Sequence, residues 1–273
     1  MIGLPSTAAA AEPLTSTVAV PRPDVDPSTV VTRIFPTGAQ LPENQLKLYV
    51  EFSAPMSDVD GLEYVRLLDD AGREVEAPFL PLGEEFWDYD YQRYTIFFDP
   101  GRVKTGILPN AELGRPLEAG AAYTLEIDAA WPDAEGLPLE KPFRKEFTVG
   151  SFDGTPLDTA KWRLRIPATG TTSRLVVSFP EPLDHALLMR GLGVEDEDRQ
   201  RVDGVIEITS WETRWSFTPR QPWVAGAYTL VALSILEDLA GNRIGTPFEI
   251  DRFEQIDEPD EQEFYRVPFE IGP

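Results

Sequence analysis

Carboxylates are the first candidates for chemistry in this chain, because 47 Asp and Glu residues accompany a single histidine and no cysteine. With His185 alone, a zinc or copper site built from nitrogen and sulfur ligands is removed from consideration. Carboxylate oxygens suit calcium or magnesium instead, although none of the acidic clusters has the spacing of an EF-hand loop. Asp153 and Asp158 are the calcium candidates, because a cation in that Gly- and Pro-containing linker would stiffen it. The alternative is an acidic surface that is simply solvated.

A second candidate is the segment 84–94, in which carboxylates stand beside aromatic rings. Rings stack on sugar faces and carboxylates accept hydroxyl protons, so Trp87, Tyr89 and Tyr91 are candidates for carbohydrate binding. The same alternation fits a strand with one aromatic face turned inward, and large aromatics mostly serve cores and interfaces. Packing is therefore the favoured interpretation. Exposure of the three rings as one coplanar patch would instead indicate sugar binding.

Catalysis finds little support in the sequence. A general-base role for His185 needs a positioned nucleophile, and the chain has no nucleophile elbow or flanking motif. The carboxylate pair of a glycosidase is defined by a separation in space, so the sequence leaves that pair open. Small tandem domains, however, offer shallow faces rather than the deep cleft that such an enzyme uses. We expect a protein that is not an enzyme and assign no catalytic residue.

The chain repeats itself, which indicates the elements that position these residues. Residues 48–56 (LYVEFSAPM) are echoed by 175–183 (LVVSFPEPL), and residues 119–125 (AGAAYTL) by 225–230 (AGAYTL). Two copies of one module are the usual meaning of such echoes. Residues 45–52 alternate in the manner of a half-buried strand, with Leu46, Leu48, Val50 and Phe52 on one face. Each copy joins short apolar runs of this kind by turns, and 26 prolines and 20 glycines leave little room for long helices. The pattern predicts an all-β fold with two tandem immunoglobulin-like β-sandwich domains.

The predicted organisation has five parts. They are a flexible leader (1–28), a first Ig-like domain (29–150), a linker (151–160), a second Ig-like domain (161–251) and an acidic C-terminal tail (252–273). The tail either adds an edge strand or stays mobile. When Pro55 is matched to Pro182, Pro100 to Pro219 and Tyr123 to Tyr228, the first copy is longer, with insertions between Pro55 and Pro100 and between Pro100 and Tyr123. The segment 101–116 is punctuated too densely for a long element and is predicted to be a surface loop. The segment 211–215 (WETRW) matches the aromatic segment of the first copy, which favours packing.

Charge and hydropathy restrict the partners. A net charge of −23 repels phosphate backbones and anionic lipids, so nucleic acid and acidic membranes are not expected partners. No apolar run approaches the eighteen or so residues that cross a bilayer. Residues 6–12 (STAAAAE) are similar to the small-residue end of a signal peptide. Together with the absence of cysteine, this start favours an extracytoplasmic protein.

Three motifs carry a resemblance to a known family. They are the corner 52–56 (FSAPM), the strand 228–230 (YTL) and the turn 238–242 (DLAGN). They resemble the bacterial Ig-like domains named after the S-layer protein SbsA, and the first copy departs from them where residues 133–137 (DAEGL) lack the Asn. The resemblance implies a sandwich fold in exported envelope proteins with adhesive, spacer or accessory roles, and it supplies no catalytic residues. The expected partner is a protein or a surface polysaccharide. The alternative function is that of a carbohydrate-binding or enzyme-accessory module. Calcium is the one cofactor considered.

Overall fold

The computed structural model describes residues 27–81, 86–103, 114–248 and 263–273. Most of the predicted leader, Glu84, Glu85, the middle of the predicted 101–116 loop and residues 249–262 lie outside the described residues. Within the described ranges, no helix has the length and apolar character needed to cross a membrane.

The described chain consists mainly of short strands. The strands are β1 (Val31–Phe35), β2 (Gln40–Pro42), β3 (Lys47–Phe52), β4 (Val65–Leu68), β5 (Arg93–Phe97), β6 (Ala122–Ile127), β7 (Phe143–Gly150), β8 (Arg163–Arg165), β9 (Leu175–Ser178), β10 (Leu192–Glu195), β11 (Gly204–Thr209), β12 (Arg214–Pro219), β13 (Gly226–Leu233) and β14 (Phe264–Ile271). The helices are α1 (Pro100–Val103) and α2 (His185–Gly191), with 3₁₀ turns at Gly61–Tyr64 and Thr159–Lys161.

The first sandwich packs a β1-β3-β5 sheet against a β2-β7-β6-β4 sheet. Alternation in β3 turns Leu48, Val50 and Phe52 inward, each less than 5 % exposed, as the period of two predicts. Trp131 and Tyr94 fill the centre of the same core. The burial of one face of each strand holds the two sheets together.

The second sandwich repeats this plan. Its sheets are ordered β8-β9-β12-β11 and β10-β13-β14, and Leu175, Trp215 and Leu230 are fully buried between them. The chain is therefore all-β and contains two tandem Ig-like β-sandwiches, which confirms the predicted fold class.

Strand register shows that the repeat is structural. Val50 faces Tyr94 across β3 and β5, and Val177 faces Trp215 across β9 and β12. Each copy also has a tyrosine corner, in which the Tyr123 and Tyr228 hydroxyls accept the N–H groups of Glu118 (3.1 Å) and Val224 (3.3 Å). The two modules therefore share strand pairing as well as sequence echoes.

The register also changes one match taken from the sequence. Since Tyr94 corresponds to Trp215, Pro219 corresponds to Phe98 and not to Pro100. Pro100 instead begins α1, for which the second copy has no helix in the described chain. Proline is common both at strand ends and at the first position of a helix, so the residue type alone did not distinguish the two.

The last strand of the second sandwich lies further along the chain than the pattern predicted. The sequence predicts that strand at residues 248–250, of which 249 and 250 lie outside the described residues, whereas Phe264–Ile271 pairs with β13 along its whole length. Tyr228 stacks on Phe269 with centroids 5.6 Å apart, as Tyr123 stacks on Phe147 at 6.0 Å. Of the two alternatives left open for the predicted tail, its described part forms the edge strand.

The turn that lacks Asn in the first copy has the same geometry as its counterpart. The Asp133 Oδ1 accepts N–H groups of Glu135 and Leu137 at 3.0 Å, and the Asp238 Oδ1 accepts those of Ala240 and Asn242 at 2.8 and 2.9 Å. The first copy closes this turn with its aspartate and without an Asn. In the second copy the Asn242 side-chain amide also donates to the Asp238 Oδ2 at 2.8 Å.

Candidate functional site

The junction between the two sandwiches is the most elaborate polar region of the described chain. One loop end of the second sandwich covers the outer face of β1 and β3, where Phe35, Tyr49 and Ala186 form a small apolar cluster. The Leu46 N–H donates to the Leu239 carbonyl at 2.9 Å, and Leu239 packs into the first core. The modules therefore share an interface beyond the linker that joins them.

Asp184 is the centre of the buried polar contacts at this junction. Its Oδ1 caps α2 by accepting the Leu187 N–H at 2.9 Å, and its Oδ2 accepts the Tyr49 hydroxyl at 2.7 Å. The Lys47 Nζ lies 3.3 Å from the same oxygen and also pairs with Glu237. Burial, reinforced by Asp184, raises the pKa of Tyr49, so the phenol stays a neutral donor. Helix capping and domain docking thus use one carboxylate.

Glu212 makes a second contact across the junction, from the tip of the β11–β12 hairpin. Ser210, Trp211 and Glu212 all adopt left-handed backbone conformations, with φ of 56°, 56° and 60°. Conformations of this kind cost about 1–3 kcal/mol each in non-glycine residues and persist where surrounding contacts fix them. The Glu212 carboxylate provides such contacts by accepting the Thr37 N–H and the Thr37 hydroxyl, both at 2.8 Å.

His185 lies between these contacts. Its ring stacks on Phe35 with centroids 3.5 Å apart, and its Nδ1 is 3.9 Å from the Glu212 Oε1. Burial lowers the pKa of His185 to about 4, with Asp184 opposing the shift and Arg93 and Arg33 adding to it. The imidazole is therefore neutral at pH 7 and serves as a packing group.

This lowered pKa predicts that the junction weakens in acid. A histidine with a folded pKa near 4 and an ordinary pKa of about 6.5 contributes stability fully above pH 6.5 and loses that contribution as the pH falls towards 4. His185→Phe keeps a stacking ring without titration, so its unfolding free energy should fall less than that of wild type between pH 7 and pH 5. Equal pH dependence in the two proteins would contradict the assignment. The carboxylates described next have raised pKa values and change the unfolding free energy with pH in the opposite sense. Both proteins contain them, so their contribution cancels in the comparison.

Three carboxylates meet beside the junction. Oxygens of Asp153, Glu181 and Asp238 all lie within 4.8 Å of one another, and we call these residues the carboxylate cluster. Burial, followed by the charge of Asp153, raises the pKa of Glu181 to about 7, and burial raises that of Asp238 to about 7. Crowded negative charge of this kind is relieved by a shared proton or by a hard divalent cation.

The cluster is held by backbone contacts of the linker. The Asp153 carbonyl accepts the side-chain amides of Asn44 (2.7 Å) and Asn242 (3.1 Å), one from each sandwich. The Asn242 side chain therefore ties the linker to the turn of the second sandwich, because its amide donates both to the Asp153 carbonyl and to the Asp238 carboxylate.

The structure places the two predicted calcium ligands apart. Asp153 belongs to the carboxylate cluster, whereas Asp158 caps the Thr159–Lys161 turn by accepting the Ala160 N–H at 3.0 Å. Glu181 was not predicted from the sequence. Asp238 belongs to one of the acidic clusters that could offer oxygens to calcium, but the favoured role from its position is to close the turn by hydrogen bonds to backbone N–H groups, which the structure also shows. Their separation along the chain left no local signal.

The aromatic candidates do not form one surface. Trp87 is half-buried against Tyr94 and Trp131, with centroid distances of 4.8 and 5.7 Å. Tyr91 is 37 % exposed and tilted by 30° from Trp87, while Tyr89 is 96 % exposed. A tight turn follows Trp87, closed by hydrogen bonds from the Tyr91 N–H to Asp88 and from the Asp88 N–H to Arg93. The turn interrupts the predicted alternation, so no coplanar patch results.

Comparison with known proteins supports no closer assignment. No protein-family model matches the chain, and no curated protein matches it. Among solved structures it is similar to titin domains Z1Z2 in complex with telethonin (11 % identity, 76 % of this chain and 90 % of that chain, TM-score 0.22). It is also similar to the Ig1-2 module of the Drosophila receptor protein tyrosine phosphatase DLAR (9 %, 77 % and 93 %, 0.26) and to domains 5–6 of the S-layer protein SbsC (12 %, 90 % and 99 %, 0.23). These scores are too low to carry an argument, so the fold assignment rests on the strand order and register described above.

Proposed function

We propose that this chain is a non-enzymatic, exported protein of SbsA-type Ig-like modules that holds binding surfaces at a fixed separation in the cell envelope. The observation that carries the proposal is the junction, where Tyr49 meets Asp184 and Thr37 meets Glu212 across the two sandwiches. Hydrogen bonds to ionised carboxylates contribute about 1.5–3 kcal/mol each, so two of them across the junction oppose its reorientation. A spacer needs such a fixed joint, whereas flexibly tethered domains do not.

The geometry of the histidine supports a non-enzymatic role. His185 stacks on Phe35 and makes no hydrogen bond with another residue in the described part of the chain. A general base would lie within hydrogen-bond reach of the group that it deprotonates. The lowered pKa of His185 is accounted for by its packing.

A protein partner is favoured over a surface polysaccharide. Sugar-binding platforms present flat aromatic area, and of the three candidate rings Tyr89 alone is fully exposed. The exposure of Tyr89 favours the carbohydrate-binding alternative. Loss of polysaccharide binding in Tyr89→Ala, in a titration where wild type binds, would support that alternative.

The proposed spacer role is tested by small-angle X-ray scattering on the full chain. At about 0.5 M salt, where contacts between exposed charges of separate molecules are screened, wild type should still fit one fixed arrangement of the two sandwiches, because the buried joint is poorly screened. Glu212→Ala removes both contacts to Thr37 and should require a broader set of arrangements, whereas Glu197→Ala, at an exposed residue of the second sandwich, should not. A wild-type profile that already needs such a broad set would rule out the spacer role.

Calcium at Asp153 remains a prediction, and the carboxylate cluster gives it a sharp test. A ligand that binds the folded state alone stabilises it by about 2.7 kcal/mol at one hundred times its dissociation constant, so millimolar calcium should raise the melting temperature. Asp153→Asn should abolish the rise, and Asp158→Asn, which lies outside the cluster, should retain it. Identical wild-type melts in calcium and in chelator would leave the cluster as a proton-sharing group.

A further inference from the structure

The outer face of the β8-β9-β12-β11 sheet carries an unusual concentration of positive charge for this chain. Arg163, Arg165, Arg174 and Arg214 are all exposed on it, because their neighbours Leu164, Leu175 and Trp215 point into the core. We call this surface the arginine face. Four guanidinium groups on one sheet stand out in a protein whose net charge is −23.

Most of this charge has no partner within the sandwich. Arg163 and Arg214 both register with Ser178 from opposite sides, so they flank β9 at a separation of two strand spacings, about 10 Å. Arg174 pairs with Glu207. The other three arginines form no ion pair with any residue that the structure describes.

The first sandwich has basic residues at the equivalent positions of its own outer face, and there the second sandwich covers them. Ile34 faces Val50 as Leu164 faces Val177, so Arg33 takes the place of Arg163. By the same registers Lys47 corresponds to Arg174, and Arg93 corresponds to Arg214.

In the first sandwich this face is covered by acidic loops of the second sandwich. Lys47 pairs with Asp184 and Glu237, and both Arg33 and Arg93 lie near enough to His185 to affect its pKa. The same surface of the repeated module is therefore a docking face in the first copy. In the second copy no residue that the structure describes covers it.

The first sandwich has its own acidic loop end, equivalent to the one that docks. Backbone hydrogen bonds join Met56 to Tyr91 and Ala134 to Pro55, as Leu183 is joined to Glu212 in the second copy. We call this surface the acidic end. It exposes four carboxylates that form no ion pair with described residues: Asp58, Asp60, Asp90 and Glu135.

We propose that the arginine face of one molecule docks the acidic end of the first sandwich of a second copy of this chain. The charges are complementary, and the same end and the same face of the module would meet as at the intramolecular junction. The acids differ in position: Asp58 and Asp90 lie next to Ser57 and Tyr91, which correspond to Asp184 and Glu212. Each molecule would present one surface of each kind, so the contact is head-to-tail and extends into chains rather than closing into a dimer. This deepens the proposed spacer role, although the scattering test of the joint within one molecule is independent of it.

Sedimentation velocity of the full chain tests the proposal. From about 1 to about 200 µM, a range that covers micromolar dissociation constants, the average sedimentation coefficient should rise with concentration at about 50 mM salt and return to the monomer value at about 0.5 M. Contacts between exposed charges weaken in this way.

Two sets of neutralising substitutions separate the surfaces. Arg163→Gln with Arg165→Gln, and Asp58→Asn with Asp90→Asn, should each give a monomer alone. Mixed together, the two variants should form a 1:1 complex, because each retains the surface that the other has lost. Arg73→Gln, an exposed arginine away from both surfaces, should associate as wild type does.

Other outcomes overturn the proposal. A wild type that is monomeric at every concentration in low salt would do so, as would association that ignores both sets of substitutions. A monomeric chain that binds heparin through the same arginines would assign the face to a polyanion instead of a second copy.

Discussion

Lys47→Met is expected to uncouple the two sandwiches. The substitution leaves Asp184, which is 4 % exposed, without its cation, whereas Glu237 keeps Arg243, whose Nε lies 3.6 Å from its Oε2. Removing one partner of a buried ion pair costs about 3–5 kcal/mol, because the remaining charge stays buried and uncompensated. The loss falls on the joint, so unfolding in urea should change from one cooperative transition to two.

A matched control separates this effect from the loss of any surface cation. Arg66 pairs with Asp128 at 3.8 Å with both side chains more than 40 % exposed, and such pairs contribute about 0–1 kcal/mol. Arg66→Met should therefore keep the wild-type transition. If Lys47→Met also keeps a single transition at the wild-type midpoint, the junction does not couple the domains.

Phe179→Ala is expected to destabilise the second sandwich by about 3–5 kcal/mol, and Phe52→Ala the first by a similar amount. Both rings are buried and lie edge-on to a tryptophan, Trp162 and Trp131 respectively, with centroids 5.1 Å apart in each case. Truncation removes these contacts and leaves a cavity in a tightly packed core.

Hydrogen exchange measured segment by segment checks the assignment of each ring to its own domain. Protection should fall most on β9 and β12 for Phe179→Ala and on β3 and β5 for Phe52→Ala, with Val205→Ala, at a residue that is 61 % exposed, as a control of small effect. Wild-type protection in either core variant would argue against the equivalence of the two corners.

Several features of the fold were predictable from short stretches of sequence. The alternation through β3 predicted its inward face, and the two Tyr-Thr-Leu strands predicted equivalent elements that the structure places at the same register position. These signals survive because a strand with one buried face imposes a period of two on the residues that form it. The last strand of the second copy was not predicted. A long segment separates this strand from the end of β13 at Leu233, so it lies beyond the part of the chain that the repeat covers. Only the structure shows that it corresponds to β7, because Tyr228 stacks on Phe269 as Tyr123 stacks on Phe147.

The candidate site was only half predictable. Asp153 was selected because it lies in the linker, but its neighbours Glu181 and Asp238 come from a corner and a turn that are distant along the chain. Asp158 lies five residues from Asp153 in the same linker, yet it caps a 3₁₀ turn and is not part of the carboxylate cluster. Proximity in sequence did not translate into proximity in space, because the cluster forms only where the linker meets the second sandwich.

The sequence by itself determined the strand pattern, the duplication and the acidic charge, since each of these is a local or additive property of the residues. Only the tertiary structure decided what covers each sheet. Lys47 and Tyr49 lie on the polar face of β3, which the alternation marks as facing away from the core, and the second sandwich buries that face. A period of two distinguishes the inner face of a strand from the outer one, but it carries no information about which distant surface docks on the outer face. That docking depends on complementary charges brought together by two separately folded modules.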